Sequence, residues 1–176
     1  MSDSPSSPST PDGPLQKQPV SAGGRSELPV RGVLLGIDYG TKRVGIAVSD
    51  RGQRFSSPLY NYQRQGKQDD HFFRKLVREY EVTGLVVGLP LHLSGDESQK
   101  SGEARRYAQW LTDLTGLPHD FQDERFTSSY AEQLLLEAEL TKKKRKERID
   151  KLAAQLLLQS FLDRRRKSDP GVEALE

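Results

Sequence analysis

Val33-Leu34-Leu35-Gly36-Ile37-Asp38-Tyr39-Gly40-Thr41-Lys42-Arg43-Val44-Gly45-Ile46-Ala47-Val48 is the stretch that decides the fold. Two apolar runs of strand length, 33–37 and 44–48, flank a polar reversal that contains Gly40. The first run ends on Asp38. A turn-forming Asp at such a place is commonplace, because its carboxylate accepts from nearby amides, so position alone leaves a turn residue and a functional acid both open.

Working outward, a third strand is expected between Gln53 and Tyr62, with Pro58 marking an edge or irregularity. Asp69 and Asp70 then open a helix with Phe72, Phe73, Leu76, Val77 and Tyr80 on one face. Leu85-Val86-Val87-Gly88-Leu89 reads as a fully buried, parallel strand stopped by Pro90. After a Gly/Ser-containing loop, Ala104, Tyr107, Ala108, Leu111 and Leu114 form a helical stripe that ends at Gly116 and Pro118. A polar-rich strand is expected from His119 to Phe126. Thr127 or Ser128 caps the next helix, where Ala131, Leu134, Leu135 and Ala138 recur at helical spacing. The basic run Lys142 to Arg148 is read as a flexible loop, and a last helix spans about 149–165. This order predicts an α/β fold, a mixed five-stranded sheet flanked by helices.

The 176 residues, 34% hydrophobic and 30% charged, suffice for one core but not two large ones. Residues 1–29 hold six of the ten prolines and seven serines, with little bulky apolar matter beyond Leu15, Val20 and Leu28. Such a segment cannot offset its ordering entropy by burial, so the expected organisation is a disordered tail over 1–29, one domain over 30–167 and a disordered tail over 168–176. Cysteine is absent, and no apolar run approaches the roughly eighteen residues of a membrane helix. The start lacks the basic and apolar regions of a secretory signal. A cytoplasmic protein without membrane attachment is expected. The net charge of +2 does not by itself mark a nucleic-acid binder; the cluster at Lys142 to Arg148 matters more.

On a wheel of the last helix, Arg148, Lys151, Gln155 and Gln159 share a polar face opposite Ala153, Ala154, Leu157, Leu158 and Phe161. Asp150 falls amid the apolar group. A partly buried carboxylate there needs a cation or donors, or else it caps the helix N-terminus. Glu124, near the end of its strand, has an equally plain account as a surface acid paired with Arg125. Yet all three acids stand at strand ends or at the expected helix start, where a folded sheet could gather them. Gathered carboxylates repel unless a divalent cation joins them.

Four motifs in order resemble one known family. They are Gly36-Ile37-Asp38-Tyr39-Gly40-Thr41-Lys42-Arg43-Val44-Gly45-Ile46-Ala47-Val48-Ser49-Asp50, Val87-Gly88-Leu89-Pro90, Asp123-Glu124-Arg125-Phe126-Thr127-Ser128 and Ile149-Asp150-Lys151-Leu152-Ala153-Ala154. Over about residues 32–166 the chain resembles the YqgF/RuvX family, bacterial nucleases of pre-16S rRNA once proposed as Holliday-junction resolvases. The resemblance implies an RNase H-like fold and places the catalytic, metal-binding acids at Asp38, Glu124 and Asp150. It implies a divalent cofactor, Mg²⁺ or Mn²⁺: two ions roughly 3.5–4 Å apart activate a water and stabilise the leaving oxygen, with Asp38 bridging them. Lys42, Arg43 and Arg125, beside these acids, are candidate phosphate contacts, and Lys142 to Lys146 could follow a nucleic-acid backbone. His71, His92 and His119 have no ligand spacing and are read as surface or packing residues. Glu97 is read as part of a helix start.

The expected partner is nucleic acid, precursor rRNA or branched DNA, bound by a monomer or homodimer. RuvC-type resolvases commonly carry a second acid one turn along the last helix; here that position is Ala153, which favours RNA. Two other classes stand beside this one. Ile37-Asp38-Tyr39-Gly40-Thr41 also resembles the phosphate hairpin of actin-like ATPases, which need two such domains where this chain has room for one. A ribosome-assembly or nucleic-acid-binding factor without catalysis would keep the fold without needing the acidic trio.

Overall fold

The computed structural model describes residues 27–92, 94, 98–126 and 142–168, with Phe126 and residues 142–151 described in backbone only. Five strands, β1 (Val33–Asp38), β2 (Arg43–Ser49), β3 (Ser56–Gln63), β4 (Val82–Leu89) and β5 (His119–Asp123), form one sheet in the order β3-β2-β1-β4-β5. The β3-β2-β1 half is antiparallel, whereas β4 runs parallel to both β1 and β5. Helices α1 (Gln68–Glu79) and α2 (Gln99–Thr115) precede and follow β4, and α3 (Lys142–Ser168) ends the described chain. The RNase H-like mixed five-stranded sheet flanked by helices is therefore the architecture observed. No helix among the described residues is long and apolar enough to cross a membrane.

Strand alternation divides the core into two layers. Val33, Leu35 and Ile37 of β1 join Val44, Ile46, Leu85 and Val87 against Phe73 and Leu76 of α1 and Tyr107, Ala108 and Leu111 of α2. Leu34, Ala47 and Val86 face the other way, onto Ala154, Leu157, Leu158, Phe161 and Leu162 of α3. The same period of two carries Asp38 to the α3 side of the sheet.

Helix α3 approaches very closely because β1 and β2 offer glycines beneath it. A Cβ at Gly36 would lie 2.7 Å from Leu158 Cβ and 3.1 Å from the Ala154 carbonyl oxygen, and one at Gly45 would lie 3.4 Å from Ala154 Cβ. Along one edge, α3 is also hydrogen-bonded to β3. Gln155 Nε2 donates to the Ser56 carbonyl at 3.0 Å, Ser56 Oγ donates to the Gln155 carbonyl at 2.8 Å, and the Ser56 amide donates to Gln159 Oε1 at 2.9 Å. The polar face of this helix thus holds the sheet's edge strand.

Several boundaries differ from the sequence reading. The third strand spans Ser56–Gln63 and starts after Gln53, which sits in the preceding turn at φ 55°. The last strand stops at Asp123, and Glu124–Phe126 form a 3-10 turn. The basic run is no loop: α3 begins at Lys142. Lys, Arg and Glu are good helix formers and no Gly or Pro interrupts 142–149, so like charges alone do not stop the helix. Leu28, counted above with the tail, is 3% exposed in the α3 core layer. Arg165 donates to the carbonyls of Leu28 and Pro29 and anchors that segment. The expected helix around residues 128–138 lies outside the described residues.

Gly36→Ala is expected to lower stability by about 1–3 kcal/mol, as overpacking does, measured as a shift in the urea unfolding midpoint at unchanged slope.

Candidate active site

The parallel strands β1, β4 and β5 end at one edge of the sheet, the edge at which open α/β sheets commonly place ligands. Asp38 closes β1, and Glu124 is the residue after β5. Between them lies Gly88 of β4, paired with Gln122. Its missing side chain is what brings the two acids together: a Cβ there would stand 2.3 Å from Glu124 Oε1 and 2.4 Å from Leu157 Cδ1. The Glu124 carboxyl therefore lies across the β4 backbone on the α3 side and shares a hydrogen bond with Asp38. Burial, then the charges of Asp38 and Asp123 and that hydrogen bond, push the Glu124 carboxyl up to about 7, against a smaller opposing pull from Lys100. Two carboxyls that share a hydrogen bond do not both ionise freely, so Glu124 holds its proton well above the ordinary glutamate range.

Asp150 belongs to α3, and the helix contacts indicate where. Moving toward the helix N-terminus, Leu158 lies over Gly36, and Ala154 lies over Gly36 and Gly45. Gly45 is the register partner of Asp38, and its Cβ position is 3.3 Å from Asp38 Cβ. Asp150 is one turn further along the same row, about 6 Å at 1.5 Å per residue. Its side chain lies outside the described residues. The cap explanation for Asp150 does not hold, because Lys142 opens the helix and Asp150 stands more than two turns inside it. Among the described residues no group of three or more His, Cys, Asp or Glu is arranged to hold a metal ion; the described acids of this site are the pair Asp38 and Glu124.

Lys42 and Arg43 are exposed at the β1–β2 reversal that follows Asp38. Arg125 is engaged elsewhere. Its Nε donates to Asp123 Oδ2 at 2.8 Å and its Nη2 to the same oxygen at 2.5 Å, while its amide donates to Asp123 Oδ1 at 3.0 Å. Burial alone would raise the Asp123 carboxyl, but these bonds hold it below the ordinary value. The plain pairing of Arg125 thus exists, with Asp123 rather than Glu124. His119 Nδ1 lies 2.7 Å from Thr112 Oγ1, a packing contact, and His71 and His92 are exposed. Glu97, Thr127 and Ser128 lie outside the described residues. Sequence reasoning missed Lys100, in the first turn of α2, and Gly88. A glycine inside an apolar strand marks close approach of another group, and that signal was available at Gly88.

A mixed sheet with a coupled acid pair at the carboxyl edge of its parallel strands defines an α/β protein of the RNase H-like class. A family profile described as RuvX, Holliday junction resolvase, matches residues 32–164, and the chain belongs to that family. A relative from Rhodopirellula baltica named "Putative pre-16S rRNA nuclease" is 42% identical over 136 residues, 77% of this chain and 79% of the relative. A relative of the same name from Koribacter versatilis is 43% identical over 137 residues, 77% of this chain and 90% of the relative. Among solved structures, Thermus thermophilus RuvC in complex with a Holliday junction substrate aligns at TM-score 0.47 and 13% identity, over 78% of this chain and 97% of that one.

The acid pair has a consequence for stability. Glu124 binds its proton more tightly folded than unfolded, so stability falls as pH rises from the ordinary glutamate value through about 7. Glu124→Gln, which carries no charge to desolvate, is expected to exceed the parent protein in stability by about 1–3 kcal/mol at pH 8 with chelator present. The difference should vanish below about pH 4.5, where both side chains are neutral; urea titrations across this range check it.

Proposed function

We propose that this chain is a metal-dependent nuclease that hydrolyses phosphodiester bonds in precursor 16S rRNA during ribosome maturation in the cytoplasm. The observation that carries the reading is the Asp38–Glu124 pair, two hard oxygen donors brought together at the carboxyl edge at the cost of one retained proton. The names of the 42–43% identical relatives support the substrate.

Asp38, Glu124 and Asp150 would hold Mg²⁺ or Mn²⁺, since carboxylates suit hard cations. Asp38, on the central strand, would be a ligand at the heart of this set. When bound, the divalent ions supply a nucleophilic hydroxide at neutral pH and neutralise charge on the leaving oxygen. Asp38 and Glu124 would give up their shared proton on holding such a cation. Lys42 and Arg43 would hold substrate phosphates from the exposed reversal beside Asp38. Arg125, tied to Asp123, would act chiefly by fixing the turn that presents Glu124.

A second reading, cleavage of a four-way DNA junction, is favoured by the description of the matching family. The decisive experiment offers precursor 16S rRNA and a four-way junction to the parent protein and to Asp38→Asn, with Mg²⁺ or Mn²⁺. The expected result is metal-dependent cleavage of the RNA that falls about a hundredfold or more in Asp38→Asn. Cleavage of the junction alone would overturn the substrate. Cleavage of neither, or full activity in a folded Asp38→Asn, would overturn the nuclease.

A further inference from the structure

The reversal that follows Asp38 is braced from outside its own hairpin by one side chain. Arg64, the residue after β3, donates from Nη1 to the Thr41 carbonyl at 3.2 Å and to Tyr39 Oη at 3.4 Å, and its amide donates to the Lys42 carbonyl at 3.0 Å. Its guanidinium carbon stands 5.5 Å from the Tyr39 ring centre and 5.2 Å from that of Tyr107, and those two rings are 4.8 Å apart. Behind it, Nε faces Asp69 Oδ2 at 3.7 Å. Asp69, 3% exposed in the first turn of α1, is fixed in turn by Tyr62 Oη at 2.8 Å and by the Gln65 amide at 2.7 Å.

A planar guanidinium held by an ion pair, two aromatic faces and two acceptors has little freedom left. The guanidinium grips Tyr39 and Thr41, and the Arg64 amide holds the Lys42 carbonyl, so the turn from the proposed metal ligand Asp38 to the proposed phosphate contacts is held along its length. Reacting groups displaced by about 1 Å can lose a hundredfold in rate, so the orientation of this turn governs turnover. None of the side-chain contacts is needed to form β1 or β2, whose ladder runs from Leu35↔Val48 to Asp38↔Gly45 without them.

We propose that Arg64 is a positioning residue for the nuclease site: anchored on Asp69 and stacked on Tyr39 and Tyr107, it sets the Tyr39–Lys42 turn and with it the Asp38 carboxylate and the Lys42–Arg43 phosphate contacts. This rests on the nuclease reading above, but the brace itself can be tested apart from it. Lysine cannot replace arginine in this place, because one ammonium cannot stack on two rings and serve two acceptors together.

The test uses the full chain as parent, Arg64→Met and Arg64→Lys. It reads amide hydrogen exchange across residues 39–43 and kcat and KM on precursor rRNA with Mg²⁺. Both variants are expected to exchange about tenfold faster in this turn and to lose about ten- to a hundredfold in kcat, with KM within about threefold of the parent. Unchanged exchange overturns the proposal. Full recovery of kcat by Arg64→Lys, or a loss confined to KM, also overturns it and makes Arg64 a direct phosphate contact. Should Arg64→Met fail to fold, Asp69→Asn decides: it removes the ion pair but keeps an acceptor for Tyr62 and Gln65, and faster exchange in the turn supports the brace while unchanged exchange refutes it. If the parent protein cleaves nothing, the nuclease reading falls, and the exchange comparison still decides whether Arg64 holds the turn.

Discussion

Contact between α3 and the bare backbone of Gly36 and Gly45 is the constraint on which the site depends. Without Cβ atoms at these positions, Ala154 and Leu158 settle onto β1 and β2 at distances a side chain would forbid. The helix that carries Asp150 is thereby drawn along the central strand toward the edge where Asp38 ends it. Gly88 repeats the arrangement on β4, where the vacated volume is filled from two sides by Glu124 and Leu157. Three glycines in three adjacent strands thus set the height of one helix and the reach of one acid, and a packing requirement becomes a chemical one.

The same closeness sets a carboxyl at this edge against burial and a neighbouring acid. A half-buried glutamate beside a second carboxylate opposes folding once it ionises, and nothing in the hydrophobic layers requires either acid. Proteins tolerate such local conflict chiefly where function needs it. Two other acids are well served by donors. Asp50 accepts from the amides of Gly52, Arg54 and Phe55 at 3.0, 2.7 and 2.8 Å, and Asp123 from Arg125. Burial would raise both carboxyls, yet these donors hold both below the ordinary value. The contrast is between acids held ionised by donors and an acid that burial and a neighbouring carboxyl keep protonated.

Much of the fold was legible in the sequence, because its signals are local. Periods of two and 3.6 marked the strands and helices, and Gly116, with φ 74° at the C-cap of α2, stopped its helix where such a glycine was expected. The basic run misled, since charge density suggests solvation but does not prevent a helix. Gln155 and Gln159 read only as part of a polar face, because a helix wheel cannot show that β3 lies beside it. Leu28 looked isolated because its partners on α3 come more than a hundred residues later.

By itself the sequence determined the order and type of the described elements apart from the basic run and, through four ordered motifs, pointed to the family and to three candidate acids. It could not decide among turn, surface pair and site for Asp38 and Glu124, or between cap and site for Asp150, because local spacing carries no information about what lies across the sheet. Tertiary structure brought Asp38 and Glu124 into contact over Gly88, gave Arg125 to Asp123, and placed Asp150 well inside a helix rather than at its cap. The physical reason is that carboxylate coupling depends on separations of a few ångströms between residues far apart in the chain, and only the packing of α3 and β5 against β1 and β4 sets those separations.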